Sequence, residues 1–269
     1  MAGQTTDPLP NWSSRMIRSR YPLVTSLAAL TLFALAAPVS AITKGGSPDN
    51  GEHPYVGVMV AYSDQVGWDH DGDPDTPDLQ VQEPLWRCSG ALVSPTVFVT
   101  AGHCTGPASS DPEEEAVPAL AAIWFDEGPD AFRFLSESNP NPDWNGYPFY
   151  ESAPYTGLPE AHPSYNPDAF YLHDAGVVVL DEDGNDVGSY AQLPQVGALD
   201  GLGKGRKRAT LEAVGYGLQL INPVFIKADV ERRKADLFIV DDTGVLGLEP
   251  FLPGTSVMVS GDAKHGGTC

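Results

Sequence analysis

A chain of 269 residues is long enough for one large domain or two small ones, and a hydrophobic content of 42% is enough for a packed core. Its 36 acidic and 15 basic residues give a net charge of −21 at pH 7, which argues against binding nucleic acid or an anionic membrane through bulk electrostatics. The 28 glycines and 25 prolines favour many turns and short strands over long helices.

The first 41 residues have the three parts of a secretory signal. Three arginines between positions 15 and 20 precede an apolar run, which ends at a small-residue cleavage site after Ala41. We therefore expect residues 1–41 to be removed, leaving a secreted, extracellular protein with a net charge of −23 and no stable membrane association. The alternative is an uncleaved membrane anchor, for which the run is short and rich in alanine.

The remainder of the chain has the pattern of an all-β protein. Pro, Gly and Asp clusters separate short apolar, β-rich runs, which is typical of a barrel or a sandwich. The predicted strands lie at 55–62, 90–94, 96–101, 119–125, 175–181, 209–217, 228–240 and 255–260. Residues 184–204 are polar and rich in Gly and Pro, and we interpret them as a linker between two halves.

An acidic segment, "DHDGDPDTPD", follows the first predicted strand. Alternating carboxylates can bind Ca²⁺ through oxygen, so two interpretations stay open: a solvated acidic loop and a calcium site. The calcium candidates are Asp69, Asp71, Asp73 and Asp75. No other cofactor is predicted, because the remaining histidines form no zinc-binding motif.

Three cysteines are present, and an exported chain is expected to pair them. Cys88 and Cys104 flank two β-rich runs joined by Ser94 and Pro95, which is a hairpin signal. Because a hairpin brings its ends together, these two cysteines can form a disulfide. Cys269, the last residue, is left without a partner.

Two polar residues stand beside apolar strands in a way that suggests catalysis. His103 follows an apolar strand in "VTAGHC", where small Ala101 and Gly102 leave room for the ring to turn towards a cleft. Asp174 comes immediately before another strand in "HDAGVVVL". A partly buried carboxylate needs a partner to stay charged, and an aspartate beside a histidine fixes the imidazole tautomer and stabilises the imidazolium.

Taken together, "CSGALVSPTVFVTAGHC" and the downstream "HDAGVVVL" resemble the sequences around the catalytic His and Asp of trypsin-like (chymotrypsin-fold) serine proteases. "GYG" at 215–217 and "GGTC" at 266–269 resemble further segments of that family. The resemblance implies two antiparallel β-barrels with the active site between them. The first barrel is expected over 42–183 and an incomplete second one over 205–269, with protein or peptide substrates.

The resemblance also implies a nucleophile that these residues do not contain. In the family, Gly-Asp-Ser-Gly-Gly-Pro follows the cysteine matched by Cys269, and no such segment occurs in the 269 residues. We therefore expect a serine endopeptidase recorded as a fragment, with His103 and Asp174 as its catalytic residues. The alternatives are a catalytically dead secreted binding protein of the same fold and a non-enzymatic β-sandwich or calcium-binding module.

Overall fold

A computed structural model describes most of the chain from residue 46 onwards. The described residues are 46–69, 79–111, 116–127, 150, 153–169, 172–198, 202, 209–217, 220–221, 226–227, 231–241 and 258–260. All of them belong to one compact unit, Val39–Cys269. Within these ranges, no helix has the length and apolar character needed to cross a membrane.

The described residues form strands with very little helix. The strands are β1 Ser47–Pro48, β2 Val56–Asp69, β3 Leu79–Ser94, β4 Val97–Thr100, β5 Leu120–Trp124, β6 Tyr155–Ala161, β7 Gly176–Leu180, β8 Thr210–Gly215, β9 Leu220–Ile221, β10 Ile226–Lys227, β11 Arg233–Asp241 and β12 Met258–Ser260. A single helical turn, α1, covers Gly102–Thr105, and two 3-10 turns cover Pro167–Ala169 and Asn185–Val187.

Six of these strands close into an antiparallel barrel in the order β2-β3-β4-β7-β6-β5. The first part of β2, residues 56–63, is buried on both faces, which explains its nearly continuous apolar sequence. Met59 and Ala61 point into the barrel, where they pack with Phe98 and Ile123. The alternate residues of β2 face outwards and pack against Tyr216, which follows β8.

A second sheet combines β1, which precedes the barrel in the chain, with strands that follow it. Strand β11 pairs antiparallel with β8 over Arg233–Phe238, and β1 and β12 also pair with it. Strands β9 and β10 form a separate hairpin. The predicted all-β class, with one closed barrel and a partial second sheet, is therefore confirmed, while the domain boundaries stay predictions.

One barrel strand was not predicted from the sequence. Strand β6 contains Pro159, which has no N–H group to donate and normally argues against a strand inside a sheet. The proline is accommodated because β5 pairs only with Tyr155–Gly157, so that at Pro159 the strand is paired with β7 alone. In this position the proline lies at a local edge of the sheet.

Candidate active site

Strand pairing brings the two candidate catalytic residues to one end of the barrel. Strands β4 and β7 run antiparallel, with Thr100 opposite Gly176. The C-terminal end of β4 leads into α1, which carries His103, and the N-terminal end of β7 follows Asp174. Because opposite ends of antiparallel neighbours meet, residues that are 71 positions apart become adjacent.

The carboxylate of Asp174 contacts His103 at three points. The backbone N–H of His103 donates to Oδ1 of Asp174 at 2.8 Å. The ring Nδ1 of His103 lies 3.1 Å from Oδ1 and 2.9 Å from Oδ2. Since an ionised carboxylate can only accept, this contact selects the imidazole tautomer with its proton on Nδ1 and leaves Nε2 as an acceptor.

A tight turn orients the aspartate. The N–H of Ala175 donates to the carbonyl of His173 at 2.8 Å, which closes a three-residue turn centred on Asp174. His173 has a φ of 55°, a left-handed conformation that a non-glycine residue adopts at some energetic cost. The turn directs Asp174 towards α1, where its side chain is 27% exposed and that of His103 is 52% exposed.

Gly102, which was predicted to leave room for the His103 ring, and Gly106 both lie against Tyr165. A Cβ atom at Gly102 would lie 2.9 Å from the ring of Tyr165, and one at Gly106 would lie 2.7 Å from the same ring. The space that Gly102 leaves is therefore filled by Tyr165. Burial, together with the nearby negative charge of Asp174, raises the pKa of the Tyr165 hydroxyl and keeps it neutral.

The predicted disulfide is present and links β3 to α1, the turn that carries His103. Cys88 in β3 and Cys104 in α1 are bonded, with their Cα atoms 6.2 Å apart. The indole N–H of Trp86 donates to the carbonyl of Cys104 at 3.1 Å. Both contacts fix α1 against the barrel wall and limit the movement of His103.

His103 lines two pockets of about 410 Å³ each. Arg87, Cys88 and His103 line both of them. Ser89, Tyr216 and Gly217 belong to the first pocket, and Trp86, Tyr165 and Pro167 to the second. Among the described residues, those that line the two pockets include no Asp or Glu, although the protein is strongly acidic.

Tyr216 closes one side of the first pocket and is held by three groups. Its N–H donates to Oγ of Ser89 at 2.8 Å, and its hydroxyl donates to the carbonyl of Asp126 at 2.5 Å. The guanidinium of Arg232 donates to the same hydroxyl at 3.4 Å. Burial raises the pKa of Tyr216 to about 12, although the neighbouring charge of Arg232 opposes the shift.

The sequence did not point to Arg87 or Arg232. Arg87 directly precedes Cys88, so the sequence alone could have placed it next to the predicted disulfide and hence near His103. Arg232 lies in the middle of the predicted strand 228–240, and nothing in its neighbourhood marks it as a buried residue. Its role depends on contacts with residues far away in the chain.

Other predicted site residues lie outside the described residues. They are the calcium candidates Asp71, Asp73 and Asp75, together with Cys269. The backbone of the fourth calcium candidate, Asp69, is described as the last residue of β2. The calcium site and the unpaired cysteine therefore stay predictions.

Neither a family model nor a curated protein matches this chain. Many solved structures are similar to it, and three of them illustrate the low identity. The VesB protease of Vibrio cholerae is 17% identical with a TM-score of 0.42, over 74% of this chain and 45% of that one. An HL collagenase is 14% identical with a TM-score of 0.37, over 71% and 60%, and GrC is 12% identical with a TM-score of 0.46, over 82% and 76%.

This chain therefore spans 45% of the VesB chain and 60% of the collagenase chain. The low identities and TM-scores leave the function to be argued from the site itself.

Proposed function

We propose that this chain belongs to the trypsin-like serine endopeptidases and carries the histidine and aspartate of a Ser-His-Asp triad. The observation that supports the proposal most directly is the contact of Nδ1 of His103 with both carboxylate oxygens of Asp174. A histidine in a buried structural role satisfies both ring nitrogens. His103 instead has one nitrogen fixed by a carboxylate, and its half-exposed side chain lines two pockets.

In the proposed mechanism, Nε2 of His103 accepts the proton of a serine hydroxyl as that oxygen attacks the peptide carbonyl. The imidazolium formed in this step is stabilised by the carboxylate of Asp174, which stays ionised throughout. The imidazolium then gives its proton to the departing amine, and the same cycle with water releases the acyl group. Asp174 contributes by holding the tautomer and the ring orientation that these transfers need.

The nucleophile of the proposed triad lies in a segment beyond residue 269. No Gly-Asp-Ser-Gly-Gly segment occurs in the sequence, so residues 1–269 are proposed to be one part of the active enzyme. We expect the enzyme to be exported after cleavage behind Ala41 and to act on proteins or peptides. Nucleic acids are not proposed as partners because the exported part has a net charge of −23.

A second candidate is a secreted binding protein of the same fold, which would bind peptides beside His103 without cleaving them. The two candidates make opposite predictions about the gene. An in-frame Gly-Asp-Ser-Gly-Gly-Pro downstream of the Cys269 codon supports the peptidase, and a stop codon at that place supports the binding protein.

The enzymatic test uses the extended chain and a fluorophosphonate label. Such a label reacts with a serine only when a neighbouring base activates it. We expect stoichiometric labelling that is lost in His103→Ala and reduced by orders of magnitude in Asp174→Asn, as in the removal of other triad members. His162→Ala is the matched control, because His162 is an exposed histidine whose backbone N–H pairs with Ala175, beside Asp174. Labelling that survives His103→Ala contradicts the proposal.

A further inference from the structure

His53 lies between two carboxylates that belong to different parts of the fold. Its Nδ1 lies 2.5 Å from Oδ1 of Asp49, in the segment before β2, and its backbone N–H donates to Oδ2 of the same residue at 2.9 Å. On the other side of the ring, Nε2 lies 3.3 Å from Oε1 of Glu212 in β8. The imidazole therefore connects the segment that enters the barrel with a strand of the second sheet.

A neutral imidazole at this position cannot satisfy both of its neighbours. An ionised carboxylate only accepts hydrogen bonds, and a neutral imidazole has one N–H group and one acceptor nitrogen. With one proton, the ring therefore presents a lone pair to either Asp49 or Glu212. With two protons, both nitrogens carry an N–H group, and the positive charge lies between two negative ones. Both contacts are thus favourable only for the imidazolium.

Asp49 determines which nitrogen carries the first proton. Burial raises the pKa of Asp49, but hydrogen bonds from His53 and the hydrogen bond and charge of Arg232 outweigh burial and hold the pKa below its ordinary value. The carboxyl is therefore ionised at neutral pH, and Arg232 compensates its charge at 2.9 Å. The first ring proton lies on Nδ1, towards Asp49, and the second proton is the one that faces Glu212.

Two more charged groups lie next to this pair. Nζ of Lys234 in β11 lies 3.6 Å from Oε2 of Glu212 and 2.5 Å from Oε2 of Glu52. The ring of Tyr55 packs perpendicular to the imidazole, with the ring centroids 5.9 Å apart. The side chains of His53 and Glu212 are 20% and 39% exposed. Because water and Lys234 both reach Glu212, we expect its contact with His53 to have the modest strength of a partly exposed ion pair.

His53 and Asp49 repeat the contacts of His103 and Asp174. In both pairs the backbone N–H and Nδ1 of the histidine meet the carboxylate of the aspartate. His103 lines two pockets, whereas Nε2 of His53 lies against a second carboxylate. This difference favours a charged, structural histidine at position 53 over a second general base.

We propose that the His53 bridge (Asp49, His53 and Glu212) is a pH-sensitive contact that fastens β8 to the segment before β2 while His53 carries two protons. Histidine is the side chain whose charge ordinarily changes between about pH 5 and 8. A proton that is bound more tightly in the folded state stabilises the fold at low pH, and this contribution is lost as the pH rises through the folded-state titration. The proposal does not depend on the proposed peptidase function.

The His53 bridge is connected to the candidate active site through β8. This strand ends at Gly215 and is followed by Tyr216, which lines the first pocket together with His103. The loss of the proton on Nε2 removes one of the contacts that hold β8 next to the barrel. We therefore expect the attachment of this pocket wall to weaken as the pH rises.

The test is a double-mutant cycle of His53→Gln and Glu212→Gln, measured by urea denaturation of the full chain at about pH 6 and about pH 9. In the more acidic buffer, we expect the two substitutions to be coupled by roughly two- to fivefold in the unfolding equilibrium constant. In the alkaline buffer the coupling should disappear, because the proton on Nε2 is lost. Glu52→Gln is the matched control, since Glu52 also pairs with Lys234, and its coupling to His53→Gln should be smaller and the same in both buffers.

A ring titration by NMR tests the same contact without altering His53. The ring resonances of His53 are followed from about pH 5 to about pH 9 in the wild type and in Glu212→Gln. The midpoint should be lower in the variant by about 0.3–0.7 pH units, which is the same two- to fivefold effect. This measurement decides the outcome even if His53→Gln fails to fold, because Glu212 is a partly exposed residue.

Three results overturn the proposal. They are a coupling that is equal at the two pH values, a coupling that is absent in the acidic buffer, and a His53 midpoint that is unchanged in Glu212→Gln. Each of them shows that the second proton of His53 does not interact with Glu212.

Discussion

Arg232 and Asp49 form an ion pair that is removed from solvent almost completely. Nε of Arg232 lies 2.9 Å from Oδ2 of Asp49, and the two side chains are 2% and 0% exposed. The same guanidinium donates to the carbonyls of Val56 and Phe125 at 3.1 and 2.8 Å. The guanidinium of Arg232 therefore connects the segment around Asp49, the start of β2 and the residue that follows β5.

Removing one partner of this pair should be costly. Asp49→Ala leaves a buried guanidinium without its counter-charge, and we expect a loss of about 3–5 kcal/mol in the free energy of unfolding. The control is Glu52→Gln, which breaks the more exposed pair with Lys234 and should cost much less. Urea denaturation of both variants measures the difference. Equal losses of unfolding free energy in the two variants would show that the buried pair stabilises the fold no more than the exposed pair does.

The same pair predicts how stability depends on pH. Burial by itself raises the pKa of Asp49, but hydrogen bonds from His53 and the charge and hydrogen bond of Arg232 outweigh it and hold the pKa below its ordinary value. A carboxyl with a depressed folded-state pKa stabilises the fold above its unfolded pKa, and this contribution is lost as the pH falls through the folded value.

The stability advantage of the wild type over Asp49→Asn should therefore be constant near neutral pH. It should shrink once the pH falls below about 4, the unfolded value of an aspartate. Denaturation of both proteins across this range tests the sign. An advantage that grows in acid contradicts the assignment of Asp49 as the ionised partner.

Arg87 should favour acidic peptides. Its side chain lines both pockets that contain His103. We expect a peptide with glutamate to bind more tightly than its glutamine isostere, by about 1 kcal/mol or roughly fivefold in Kd. Fluorescence anisotropy with Arg87→Gln tests this, and Arg233→Gln is the control. A glutamate preference that persists in Arg87→Gln contradicts the prediction.

Gly157 should not tolerate a side chain. A Cβ at this position would lie 2.3 Å from the backbone carbonyl oxygen of Val179, in the neighbouring strand β7. We expect Gly157→Ala to cost about 1–3 kcal/mol, because the strands must separate. Gly184→Ala is the comparison, since its Cβ would first meet the end of the Leu92 side chain. Thermal unfolding should show a larger fall in melting temperature for Gly157→Ala than for Gly184→Ala.

The sequence predicted the barrel strands wherever apolar residues alternate or run together. The hairpin at Ser94 and Pro95 is confirmed, with Ser94 opposite Val97. The Cys88–Cys104 disulfide is also present, because local pairing alone brings its ends together. Strand β6 was missed, since Pro159 and its half-exposed pattern give no local strand signal.

Residue order and local pattern were thus sufficient for the all-β class and the positions of most strands, while the choice of His103 and Asp174 as candidates came from the resemblance of their motifs to those of trypsin-like serine proteases. Only the tertiary structure decided that these two side chains touch, that Tyr165 fills the space at Gly102, and that Arg232 and Asp49 meet across 183 positions. Local propensity depends on neighbours in the chain. A buried charge or a shared pocket depends on strand register and packing between distant segments, which no short stretch of sequence contains.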